Sequence, residues 1–119
     1  MTTITTIASR LIELCNAGQF VDAYTELFSD NAISIDPIAG PEPVKGLPAL
    51  IQREQDFLAN TEIHEVKVSD AISSGSYFSV IFSLHITPKG GESRRVEELA
   101  VYKVENGKIV SQQFFIDRN

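Results

Sequence analysis

Tyr77-Phe78-Ser79-Val80-Ile81-Phe82-Ser83-Leu84-His85-Ile86-Thr87 places an apolar residue at every even position. Phe78, Val80, Phe82, Leu84 and Ile86 form one row, and Tyr77, Ser79, Ser83, His85 and Thr87 form the other, with Ile81 among them. A period of two is the mark of a β-strand with one face buried. Reading toward the C-terminus, Pro88-Lys89-Gly90-Gly91-Glu92 turns this strand into a second, Arg94 to Val104, closed by Asn106-Gly107, a strong hairpin signal. Lys108 to Asp117 is the last strand, with Phe114 and Ile116 on one face. Reading toward the N-terminus, Ser73-Ser74-Gly75-Ser76 turns back into Glu62 to Ile72. The second half of the chain is therefore expected to be a four-stranded antiparallel meander.

Upstream the period changes to that of a helix. Ile4, Ile7, Ala8, Leu11, Leu14 and Cys15 recur on one face, and Gly18 ends the run. Phe20, Ala23, Tyr24, Leu27 and Phe28 stripe a second helix, followed by Ser29-Asp30-Asn31 as a turn. The short alternation Ala32-Ile33-Ser34-Ile35 reads as a strand ending at Asp36, and a Pro/Gly-rich loop runs on to Gly46. Pro48 opens a third helix, with Leu47, Leu50, Ile51, Phe57 and Leu58 apolar, to about Asn60. Three helices before a meander make one α+β domain over residues 1–119, a curved sheet with a cavity between the layers.

The 119-residue length suits a single core. A net charge of −6 disfavours nucleic acid and anionic membrane as partners. No apolar run approaches the roughly 20 residues of a membrane span, and no basic-then-apolar leader is present, so the expected setting is the cytoplasm. Cys15 is alone, which leaves no internal disulfide; on an apolar helical face it reads as a small buried hydrophobe. Two histidines and one cysteine provide no metal-ligand spacing, so no metal or other cofactor is expected.

Asp36 is the residue that points to chemistry. It is a carboxylate at a strand end, held extended by Pro37, which is where a general base could sit, although Asp-Pro is also a common turn initiator. Arg10-Leu11-Ile12-Glu13-Leu14-Cys15-Asn16-Ala17-Gly18, Leu27-Phe28-Ser29-Asp30-Asn31-Ala32, Ile35-Asp36-Pro37 with Gly46, and Asn106-Gly107-Lys108-Ile109 together resemble the NTF2-like superfamily, in its SnoaL-like and ketosteroid isomerase-like branch. The resemblance implies a cone: a strongly bent sheet around an apolar pocket, helices at its mouth, and a homodimer formed through sheet faces. Steroid isomerases of this kind use an Asp-Pro aspartate as base, matching Asp36, and two oxyanion donors. The donor positions fall here on Leu11 and Ala100. Losing one such donor raises a barrier by roughly 3–4 kcal/mol, so the usual isomerase mechanism is not expected.

Glu98 and Tyr102 are the candidate replacements, since they share a strand face with Val96, Ala100 and Val104. A carboxyl in an apolar row resists ionisation and can donate a hydrogen bond; its alternative is a solvated strand end beside Glu97. Tyr24 reads as cavity wall with its hydroxyl on backbone or water. The pocket set is completed by Leu11, Phe57, Phe82, Ala100, Phe114 and Ile116. His85 has two readings. Alternation places it outside, whereas gap-free alignment to the family turns it inward and sends the apolar row of its strand outward; burial of that row favours the first. His64 is expected to face solvent. Three functions follow: a non-catalytic pocket protein for a small apolar or carbonyl-containing molecule, an isomerase or polyketide cyclase-type enzyme with Asp36 as base, and a homodimerising interaction module.

Overall fold

The computed structural model describes residues 3–36, 40 and 42–117; Pro37 and most of the apex of the Pro/Gly loop lie outside the described residues. Helices α1 (Ile4–Asn16), α2 (Phe20–Leu27) and α3 (Leu47–Ala59) pack on a sheet of β1 (Phe28–Ile35), β2 (Val44–Lys45), β3 (Thr61–Val68), β4 (Ile72–Ser74), β5 (Tyr77–Pro88), β6 (Arg94–Glu105) and β7 (Lys108–Ile116). The strand order is β2-β1-β7-β6-β5-β3, with β4 on β5, and the sheet does not close. None of the described helices is long and apolar enough to cross a membrane.

The even-numbered row of β5 faces the helices. Phe78, Val80, Phe82 and Ile86 are buried, while Tyr77 and Ile81 on the opposite face are exposed. The core they enter is completed by Ile7, Leu11 and Leu14 of α1, Ala23 and Tyr24 of α2, and Leu50 of α3. Phe78 stacks on Tyr102 at 4.9 Å between ring centroids, and Phe28 meets the Tyr102 edge at 6.2 Å. Asn106 and Gly107 both take positive φ, 52° and 77°, as a two-residue type I′ hairpin demands.

Three expectations are corrected. Phe28-Ser29-Asp30-Asn31 belongs to β1 rather than to a helix end and a turn. β1 lies parallel to β7, pairing Phe28 with Ile109 and Ile33 with Ser111, and the register shift between these pairs accommodates the polar residues in a bulge. That parallel ladder also means the sheet is not wholly antiparallel. The strand expected over Glu62–Ile72 breaks after Val68, where the Ser69 hydroxyl accepts the Ile81 amide at 2.8 Å, replacing a backbone carbonyl in the ladder. Serine competes in this way for backbone partners, which ends regular pairing.

Local contacts fix the helices over the site. Thr3 caps α1, accepting the Thr6 amide at 3.1 Å. Asn16 Oδ1 accepts the Val68 amide at 3.0 Å and ties α1 to the sheet edge. The Arg10 guanidinium binds Glu26 through two nitrogens, at 2.6 and 3.0 Å, joining α1 to α2. Gly46, at φ 92°, donates its amide to Ala32 at 2.8 Å and starts α3 directly beside β1. Leu50 is the one side chain of α3 buried from solvent, at 0% exposure. Leu50→Ala is therefore expected to cost about 2–5 kcal/mol in denaturant unfolding, the range for a leucine truncated in a packed core.

Candidate ligand-binding cavity

The gap between helices and sheet is a cavity of about 330 Å³, within the range of small-molecule sites. α1 contributes Leu11 and Cys15, α2 contributes Phe20, Ala23 and Tyr24, and α3 contributes Arg53, Glu54 and Phe57. The sheet contributes Phe28, Ile63, Phe82, Leu84, Ile86, Arg94, Val96, Glu98, Tyr102, Gln112 and Phe114, and Asp36 lines it just beyond the end of β1. Phe82 and Phe114 lie against each other at 6.5 Å between ring centroids and leave the space beside them open.

Most of the candidate residues meet here. Asp36, Leu11, Tyr24, Phe57, Phe82, Glu98, Tyr102 and Phe114 all line the cavity. Ala100 and Ile116 do not. Ala100 is wholly buried, a methyl between its cross-strand neighbours Val80 and Phe114. Ile116, the last residue of β7, is half-buried opposite Glu98. His85 lies on the opposite face to the buried row, its ring 4.8 Å from that of His64, and His64 Nε2 lies 2.7 Å from Thr87 Oγ1. The inward reading of His85 is therefore excluded, because the aromatic and aliphatic row fills the inner face.

The cavity is apolar with a cluster of ionisable groups set into it. Burial, followed by the charges of Asp36 and Glu54, pushes the Glu98 carboxyl up to about 7. Glu98 is half-buried and lines the cavity. Glu54 is also raised, first by burial and then by Asp36, against the opposing pull of Arg53. Both tyrosine hydroxyls are held protonated by burial, Tyr24 at about 12 and Tyr102 well above its usual value. The Cys15 thiol is likewise pushed up to about 12 by burial, so it is an inert wall residue.

A polar chain crosses one side. Gln112 Nε2 donates to Tyr24 Oη at 2.7 Å and to Ser34 Oγ at 3.0 Å, and Arg53 Nη2 donates to Ser34 Oγ at 2.8 Å. The Tyr24 hydroxyl is therefore paired with a side chain, not with backbone. Arg53, Glu54, Ser34 and Gln112 were missed by the sequence reading, although two carried a signal. Glu54 occupies the helical position between Leu50 and Phe57 on the inward stripe of α3, and Gln112 shares strand parity with Phe114 and Ile116. A polar residue at an inward position is the informative exception. Among the described residues, no group of His, Cys, Asp and Glu is arranged to hold a metal.

The sequence matches the profile of the SnoaL-like domain family over residues 1–116, and the chain belongs to that family. A solved protein of Mesorhizobium loti, assigned by likeness to the SnoaL-like polyketide cyclases, is 32% identical with a TM-score of 0.90, covering 96% of this chain and 99% of that one. An NTF2-like protein of unknown function from Burkholderia pseudomallei superposes with a TM-score of 0.80 at 15% identity, covering 98% and 92% of the two chains. A Catenulispora acidiphila protein with a ketosteroid isomerase-like fold, solved in complex with trimethylamine, superposes at 0.74 with 17% identity, covering 98% and 88%. No curated protein matches the sequence.

A carboxyl raised in the folded state binds protons more tightly there than in the unfolded chain. Its contribution is present at low pH and is lost as pH rises from the ordinary carboxylate range through about 7. Glu98→Gln removes this loss, so the variant is expected to gain stability relative to the native protein between pH 5 and pH 8. Urea unfolding at the two pH values measures it; an unchanged difference would place the Glu98 carboxyl in solvent.

Proposed function

We propose that the cavity binds a small, largely apolar molecule through an acceptor oxygen such as a carbonyl. The observation that carries this reading is Glu98, a carboxyl set in an apolar wall and protonated up to about pH 7. In that form it donates to a carbonyl oxygen, and the aromatic lining accommodates the remainder of the molecule. The Tyr102 hydroxyl, on the same strand face two residues along, is a second donor available from the same wall.

A second reading is supported by the placement of Asp36. Its charge raises both Glu98 and Glu54, and all three line the one cavity. A carboxylate base beside a carboxylic acid is the arrangement needed to take a proton next to a carbonyl and stabilise the resulting enolate. Asp36 would remove the proton and Glu98 would supply the hydrogen bond, in place of the donors absent at Leu11 and Ala100. This is chemistry of the isomerase and cyclase type.

The matched pair 2-acetylnaphthalene and 2-ethylnaphthalene separates these readings. The ketone is expected to bind more tightly than the hydrocarbon, with its advantage shrinking as pH rises through 7 and persisting in Glu98→Gln, whose amide still donates. Equal affinity for the two compounds would remove the acceptor-oxygen reading. In deuterated buffer, a catalytic Asp36 exchanges the ketone's methyl protons, and Asp36→Asn slows the exchange by about 100-fold or more. Exchange no faster than in buffer leaves binding alone.

We also propose that the protein is a homodimer through the outer face of its sheet. Ile81, Leu99 and Phe115 are cross-strand neighbours in register, and they are 40%, 41% and 48% exposed. An apolar row of this kind on a strand face is an association surface. Leu99→Lys is expected to shift the mass measured by light scattering from dimer to monomer, and a monomeric native protein would rule the interface out.

A further inference from the structure

We infer that Arg94 binds a carboxylate of the ligand at the mouth of the cavity, which makes the ligand an apolar oxo acid. Such a molecule has a carbonyl at one end, a ring or chain as its body and an ionised carboxyl at the other end. The inference rests on the pocket reading above and adds to it the charge of the ligand and the direction in which it lies.

The direction comes from β6. Arg94, Val96, Glu98, Ala100 and Tyr102 share one strand face, and all but Ala100 line the cavity. Exposure falls along this row: Arg94 is exposed, Val96 and Glu98 are half-buried, and Ala100 and Tyr102 are buried. The cavity therefore opens at Arg94 and deepens toward Tyr102. Among the residues that line it, only Arg94 and Phe57 are exposed. Four residues of strand place the α-carbons of Arg94 and Glu98 about 13 Å apart. A ligand whose carbonyl meets Glu98 thus lies across Val96 and brings its far end within reach of the long Arg94 side chain.

The charge comes from what surrounds Arg94. Its cross-strand neighbour is Ile86, itself paired with Ile63, and both line the cavity. Among the described residues the Arg94 guanidinium has no ion-pair or hydrogen-bond partner, whereas Arg95, on the outer face of the same strand, lies 3.8 Å from Glu65. The charges that act on Glu98 are those of Asp36 and Glu54, and those that act on Glu54 are Arg53 and Asp36; Arg94 is in neither set. The guanidinium at the mouth is electrically separate from the carboxyls further in. An arginine so placed lays its alkyl stem on apolar neighbours and keeps its head at the water boundary, where the planar fork matches a carboxylate through two N–H bonds. The remaining charge selects the kind of anion. A net charge of −6, with carboxyls in the cavity wall, repels a dianion such as a phosphate monoester twice as strongly as a monoanion, so a carboxylate is the acid that fits.

An arginine at a rim can equally be a solvated surface charge, and a matched pair of probes distinguishes the cases. Native protein and Arg94→Gln are titrated by calorimetry with 6-acetyl-2-naphthoate and with 2-acetylnaphthalene, which lacks only the carboxylate. At about pH 6 the acid is ionised and Glu98 still holds its proton. Native protein is expected to bind the acid more tightly than the neutral ketone. Arg94→Gln is expected to bind the acid about tenfold more weakly than native protein does, the loss of one charge-assisted hydrogen bond, with ketone binding unchanged. Arg94→Lys keeps the charge without the fork and is expected to recover part of the loss. An acid affinity unchanged in Arg94→Gln, or a fall shared by both probes, overturns the inference while the pocket reading stands. If neither probe binds the native protein, the pocket reading fails and takes this inference with it. A salt titration of the native protein needs no variant: added salt is expected to weaken acid binding and leave the ketone unaffected. An acid that binds no more tightly than the ketone, or that ignores salt, overturns the assignment of Arg94.

Discussion

The apolar row of β5 has to be kept from water, and the helices are arranged to do it. Each of Phe78, Val80, Phe82 and Ile86 is worth about 1.5–3 kcal/mol when buried. The row is met by the inward stripes of α1 and α2, and by α3 through Leu50. Because the bent sheet is only partly covered by three helices, these surfaces meet at one end and leave a cavity at the other. The cavity is thus a product of the same packing that stabilises the fold.

Into this apolar space the chain sets three carboxyls, two guanidinium groups and two tyrosines. Buried charge is costly, and Glu54 and Glu98 respond by holding their protons to higher pH. A fold selected for stability alone would have apolar residues at these positions. Their presence, around a space large enough for a small molecule, is the strongest structural argument for a functional site. Arg53 serves both sides of the cluster. Its charge opposes the upward shift of Glu54, and through Ser34 it joins the hydrogen-bonded chain that includes Gln112 and Tyr24.

The fold was largely legible because its signals are local and redundant. The alternation over Tyr77–Thr87, the helical stripe ending at Gly18 and the Asn106-Gly107 turn each specify an element from neighbouring residues. The misreadings occurred where a distant partner overrode local preference. Ser29-Asp30-Asn31 has turn composition, yet the parallel ladder with β7 draws it into a bulged strand. Ser69 interrupts a run that reads as continuous, because its hydroxyl takes an amide from β5. At the site, Asp36 and Glu98 were visible as carboxyls at unusual strand positions. Glu54 and Gln112 interrupt apolar stripes that were read for their apolar members alone.

By itself the sequence determined the order of most elements, the alternation within each long strand, and the resemblance to an α+β family. These follow from period, turn chemistry and residue identity, all properties of neighbours along the chain. Only the tertiary structure decided that His85 lies outside, that Ala100 is covered and that Glu98 lines one cavity with Asp36 and Glu54. It also joined Tyr24, Ser34, Arg53 and Gln112 into one hydrogen-bonded chain. Those residues come from α2, β1, α3 and β7, so no spacing along the sequence encodes their meeting; it depends on how the helices settle across a curved sheet.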